Sequence, residues 1–170
     1  MTCTPLRSPL ILGVDPSTHR TGWALLAGLD RDCLLNHGTI RDQTPLGVLA
    51  MIRAVEAVAE DHLTSLVLAV EDSWAGRNPG TAKKLGYAVA AWRVLAEIRE
   101  HECRLFIPAE WRSLSLVYTG RPTGSDFKRL ALAKVAEIYG PFEADNEHEA
   151  EAILIARACL IRADLDAGEW

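Results

Sequence analysis

The sequence has no CxxC pair, no clustered histidines, no Ser/Gly/Pro-rich linker, no tandem repeat and no low-complexity run. Its four cysteines, Cys3, Cys33, Cys103 and Cys159, are widely scattered. That spacing argues against a zinc site and a disulfide framework, and leaves reduced, mostly buried thiols as the reading. A long apolar run is missing as well. Arg7 precedes the apolar stretch Leu10 to Val14, but Asp15 interrupts it before it can serve as a signal or spanning segment. We therefore expect a cytoplasmic protein with no membrane association, and leave open whether it is nucleoid-associated or phage-encoded. An excess of basic charge is also absent. The net charge of −5 runs against a nucleic-acid partner, which normally requires a basic patch.

The average conceals an asymmetry. From Arg77 to Lys134 there are eleven Lys/Arg and five acids, whereas the rest of the chain holds seven basic and eighteen acidic residues. A chain basic in its middle and acidic at its ends can present one positive face to DNA and gather acids around a metal. With 170 residues, 49% hydrophobic and 24% charged, the chain fits a single compact globular domain over residues 1–170 with one site.

The pattern predicts strands at Leu10 to Val14, Gly22 to Ala27 and Cys33 to Ile40, paired as an antiparallel meander. An amphipathic helix follows from Pro45, with Leu46, Leu49, Ile52, Val55 and Val58 near helical spacing. Leu66 to Val70 reads as a central strand buried on both faces. A long helix runs from Asn78 to about Glu100, apolar on more than one side. Its small residues Gly86, Ala88, Ala90 and Ala91 suit close helix approach, so we expect a homodimer through it. Arg104 to Ile107 is the expected last strand. Helices at Pro108 to Leu116, Asp126 to Tyr139 (capped by Ser125) and Glu147 to Arg162 complete an α/β fold.

Acids stand where two buried strands end. Asp15 closes the first apolar run and Glu71 the fourth, at the sheet edge that open α/β folds use for ligands. A third group, Asp145-Asn146-Glu147-His148-Glu149-Ala150-Glu151, opens a helix whose remainder is apolar; His148 and Glu151, three apart, share a face. Such oxygen-rich clusters bind Mg²⁺ or Mn²⁺, and a metal pair about 3.5–4 Å apart serves phosphodiester hydrolysis.

The segment Ile11-Leu12-Gly13-Val14-Asp15-Pro16-Ser17-Thr18-His19-Arg20-Thr21-Gly22-Trp23-Ala24 resembles the first strand and turn of the RuvC family of Holliday junction resolvases. Ala69-Val70-Glu71-Asp72-Ser73-Trp74 is similar to the segment holding the family's second catalytic acid. Ala82-x-x-Leu85-Gly86 is similar to its helix, and His148-Glu149-Ala150-Glu151-Ala152 to its closing Asp-x-Ala-Asp-Ala. The resemblance implies an RNase H-like fold, a mixed five-stranded sheet of order 3-2-1-4-5 flanked by helices, its first three strands the antiparallel meander.

It also implies that Asp15, Glu71, His148 and Glu151 form the catalytic, metal-binding set, with two Mg²⁺ or Mn²⁺ ions per site. The family usually has Asp where this chain has His148 and Glu151, so Glu149 or Asp145 remains an alternative last ligand. Trp74 falls where the family has an aromatic near the junction centre. Lys128 and Arg129 fall near its phosphate-contacting basic position, and Lys83, Lys84, Arg112 and Arg121 extend that surface.

The function so implied is paired, symmetric, metal-dependent nicking of four-way DNA junctions in recombination and repair, by a homodimer whose helicase partner is left open. Three alternatives stand beside it. One is an RNase H-like nuclease for other branched DNA or RNA–DNA hybrids. Another is a catalytically weak junction-binding protein. The third is a phosphate-binding hairpin of the sugar-kinase type, disfavoured because 170 residues leave no room for a second lobe.

Overall fold

A computed structural model of the chain describes residues 9–27, 33–61, 64–72, 79–116, 123–140 and 147–167. In chain order the elements are β1 (Leu10–Asp15), β2 (Thr21–Ala27), β3 (Cys33–Ile40), α1 (Pro45–Asp61), β4 (Leu66–Glu71), α2 (Pro79–Ile98), β5 (Glu102–Phe106), α3 (Pro108–Ser115), α4 (Gly124–Tyr139) and α5 (Glu147–Ala167). The sheet order is β3-β2-β1-β4-β5. β1, β2 and β3 pair antiparallel, with a register shift between Leu25 and Leu26, while β4 pairs parallel to β1 and β5 parallel to β4. This is the expected sheet.

Strand periodicity of two sorts the core into halves. Leu10, Leu12 and Val14 of β1, with Leu66, Leu68 and Val70 of β4, pack in the cluster that holds Val48, Ile52 and Val55 of α1 and Val89 and Trp92 of α2. Ile11, Val67 and Ala69 belong to the other cluster, with Trp111 of α3, Ala131 and Val135 of α4 and the apolar run Ala152 to Ala156 of α5. Continuing the alternation by one step puts Asp15 and Glu71 on the second face, the one α5 covers.

Two glycines let α5 lie directly on the sheet. A Cβ at Gly13 would collide with the Ala152 carbonyl oxygen, and one at Gly22 with the His148 carbonyl. At the far end of the sheet Glu56 of α1 accepts two bonds from Arg99, of 2.8 and 2.7 Å, and pairs with His101 Nε2 at 2.7 Å. That clasp ties α1 to the end of α2.

Several boundaries differ from the sequence reading. β5 starts at Glu102, so the strand is set two residues earlier, and Ile107 is the N-cap position of α3. α4 starts at Gly124 with Thr123, not Ser125, as its N-cap; the Thr123 N–H donates to Asp126 Oδ2 at 2.9 Å, an acid at the third helical position completing the cap. α5 runs beyond Arg162 to Ala167.

Candidate active site

Asp15 is the last residue of β1 and is 5% exposed. The first turn of α5 descends on it because Gly22 admits the His148 backbone. His148 Nδ1 lies 2.5 Å from Asp15 Oδ2. Glu151, one turn further along α5, is also buried, and Asp15, His148 and Glu151 each offer a ligand atom within 4.8 Å of the others. Glu71 closes the neighbouring strand and feels the charges of both Asp15 and Glu151.

Burial and crowding govern the protonation of these groups. Desolvation, then the Asp15 charge, push Glu71 from the ordinary 4.5 up to about 8. The same two causes raise Glu151 to about 7, against the opposing pull of Arg112. His148 is raised by its bond to Asp15. Acids this close and buried repel one another, and a divalent cation relieves that repulsion. The oxygen and imidazole donors suit Mg²⁺ or Mn²⁺, so the residues fit the implied metal.

The other sequence-selected residues divide. Glu149, considered as an alternative ligand, is engaged elsewhere: its Oε2 meets His37 Nδ1 of β3 at 2.9 Å. Asp145, Trp74 and Arg121 lie outside the described residues. Arg112 stands beside the site, its guanidinium 3.9 Å from Glu151 and stacked 5.0 Å from the Trp111 ring and 4.4 Å from the Phe127 ring. Its Nε has no hydrogen-bond partner among the described residues. Lys128 of α4 reaches Glu147 at the start of α5, whose carboxylate raises the Lys128 pKa most, with smaller contributions from Glu151 and Asp15. Arg129 is exposed and 3.7 Å from Asp126. Lys83 and Lys84 sit on the exposed side of α2, not among the acids.

Sequence reasoning missed Trp111. This fully buried residue of α3 donates its indole N–H to Glu71 Oε2 at 2.6 Å. The available signal was its place in the short helix that follows β5, the parallel neighbour of the strand carrying Glu71. His37 was missed too; nothing local marks a β3 residue as the partner of an acid 112 residues later.

Comparison with known proteins gives consistent relatives. The family model described as crossover junction endodeoxyribonuclease RuvC matches residues 11–120. The crossover junction endodeoxyribonuclease RuvC of Rickettsia conorii is 29% identical over 157 residues, spanning 89% of this chain and 97% of that one. That of Legionella pneumophila is 31% identical over 104 residues, spanning 56% and 60%. Among solved structures, T. thermophilus RuvC in complex with Holliday junction substrate superposes with a TM-score of 0.68 at 22% identity, covering 92% of this chain and 96% of that one. The yeast mitochondrial Holliday junction resolvase Ydc2 superposes at 0.53 with 15% identity, covering 96% and 82%. At these identities the structural likeness establishes a shared fold.

Proposed function

The chain belongs to the RuvC family of crossover junction endodeoxyribonucleases, and from that membership we propose that it resolves Holliday junctions by paired symmetric nicking in DNA recombination and repair. The observation that carries the reading is the convergence of Asp15, His148 and Glu151 from the two ends of the chain beside Glu71. These four would hold the metal, Mg²⁺ or Mn²⁺, at two ions per site. When bound, it supplies Lewis acidity that activates water and neutralises charge on the leaving oxygen.

The protein's own groups do the rest. As the alternative to serving as a ligand, His148 would carry the proton it shares with Asp15 and move it as the phosphodiester opens to a 5′-phosphate and a 3′-hydroxyl. Arg112 and Lys128 set positive charge beside the acids, where a DNA phosphate would enter; Arg129 extends that surface. Trp74, Arg121, Lys83 and Lys84 remain proposed junction contacts on the strength of the sequence resemblance. The proposed working unit is a homodimer of single-domain chains, residues 1–170, meeting through α2, so that two sites nick two strands. We place it in the cytoplasm; no helix of the described residues is long and apolar enough to cross a membrane.

The test is cleavage of a labelled four-way junction in Mg²⁺ and in Mn²⁺ by the wild type, Asp15→Asn and Glu71→Gln. Paired symmetric nicks, abolished in both variants, are expected. Preferential cutting of flaps or RNA–DNA hybrids would replace the junction reading. Tight junction binding without nicks in either metal would make the chain a junction-binding protein.

A further inference from the structure

The strand–helix connection after β5 places an aromatic donor against a candidate metal ligand. β4 and β5 run parallel, with Glu71 paired to Phe106, so α3, which starts two residues after Phe106, rises at the same sheet end as Glu71. Trp111 sits in its first turns with none of its surface exposed, packed in the same core cluster as Phe106 and the apolar run of α5. An indole nitrogen is a donor only, and when buried it needs an acceptor. It takes a Glu71 carboxylate oxygen, at 2.6 Å. A second bond fixes the frame of α3 itself: Ser115 Oγ donates to the Leu154 carbonyl of α5 at 2.7 Å, fully buried. The ring that grips Glu71 is thus tied to the helix that carries His148 and Glu151.

We infer that Trp111 is a positioning residue for Glu71: its N–H holds Oε2, so a rigid ring fixes the rotamer of the flexible glutamate and leaves Oε1 for a divalent cation. Glutamate has three side-chain torsions, and ordering them at the moment of metal binding would cost rotamer entropy. A donor immobilised in the core settles that cost at folding, as hydrogen-bond partners of metal ligands do generally. The inference rests on the reading of Glu71 as a ligand, and the experiment separates the two.

The measurement is calorimetric titration of Mn²⁺ into the full chain as wild type, Trp111→Phe, Glu71→Gln and the double variant, with a thermal melt of each. Trp111→Phe, which keeps an aromatic ring and removes the donor, is expected to weaken Mn²⁺ binding by about tenfold. In the Glu71→Gln background the same change is expected to add no more than about twofold, because the group it acts through has lost its charge. Unchanged Mn²⁺ affinity in Trp111→Phe overturns the inference while leaving Glu71 a ligand. So does an equal loss in both backgrounds, which would mean a general packing effect. If Glu71→Gln itself leaves Mn²⁺ binding intact, the ligand reading fails and the inference with it. Should Trp111→Phe not fold, 3-benzothienylalanine at position 111, equal in shape and lacking the N–H, carries the same expectations.

Discussion

Gly13 of β1 and Ala152 of α5 are in backbone contact: a Cβ on Gly13 would clash with the Ala152 carbonyl oxygen and lie 2.7 Å from the Ala156 Cβ. The missing side chain is what lets α5 settle on the sheet, and α5 carries His148 and Glu151 to Asp15. Packing and chemistry therefore depend on the same absence. Gly13→Ala is expected to destabilise the fold by about 1–3 kcal/mol, as overpacking of a core does. It should also weaken Mn²⁺ binding, since the helix must lift. Gly124→Ala, at a helix start with nothing within 4 Å of the added carbon, serves as the control: it should hold or raise stability, by up to about 1 kcal/mol, and leave Mn²⁺ binding unchanged. Urea denaturation and Mn²⁺ titration of the two variants decide it.

The raised acids make the metal-free protein sensitive to alkali. In the unfolded chain Glu71 and Glu151 titrate near 4.5, whereas in the folded chain they titrate near 8 and 7. Between those values the folded state binds more protons than the unfolded state, so stability falls as pH rises. His148, also raised, acts in the same direction: its contribution is complete below its unfolded value of 6.5 and is lost as pH passes the folded one. The Tm of the metal-free protein is expected to drop between pH 5 and pH 8 by scanning calorimetry. Adding Mn²⁺ at pH 8 should restore it, because the ionised carboxylates regain a counter-charge. A Tm that is flat over this range, or that rises, would contradict the burial and crowding of the acids.

Much of this site could be read from strand and helix periods alone. Asp15 and Glu71 each end an uninterrupted apolar run, and because side chains alternate along a strand, Gly13 and Asp15 share a face, as do Ala69 and Glu71. His148 and Glu151 share a helix face by their spacing. What the sequence concealed depends on long-range placement. Trp111 lies 40 residues from Glu71, and His37 lies 112 from Glu149; no local pattern pairs them. The α4 cap was misplaced for a different reason. Thr123 and Ser125 are both good capping residues, and the choice falls to Thr123 because Asp126 then occupies the third helical position and reaches back to its N–H.

The Arg112 guanidinium lies over both the Trp111 and Phe127 rings, and its charge opposes the burial and the Asp15 repulsion that raise Glu71 and Glu151. Removing its charge while keeping an apolar stem, as in Arg112→Met, raises both carboxyls further. The acidic limb of the pH–rate profile for junction cleavage is therefore expected to move to higher pH. If Arg112 also meets a DNA phosphate, the log–log dependence of junction affinity on salt should lose about one unit of slope. Arg112→Lys keeps the charge and loses the flat stacking surface, so it should recover the pH profile better than the affinity. An unmoved acidic limb in Arg112→Met would show that the guanidinium does not act on the two acids.

Helix α2 carries two apolar stripes. Val89, Trp92 and Ala96 are buried against the sheet, whereas Tyr87, Val94 and Ile98, on a different side of the helix, are 65%, 51% and 67% exposed. A lone exposed apolar residue is ordinary, but three along one helical stripe form a surface that a second copy can cover. Val94→Glu combined with Ile98→Glu places like charges face to face across such an interface and should convert a dimer to a monomer in sedimentation velocity. Because neither residue belongs to the buried core, the variant should keep the wild-type Tm and Mn²⁺ affinity. Its nicks in a four-way junction should become uncoupled, one strand at a time, since pairing requires two sites on one particle. A wild type that sediments as a monomer at micromolar concentration would remove α2 as the dimer interface, and coupled nicking by the double variant would place the second site's contact elsewhere.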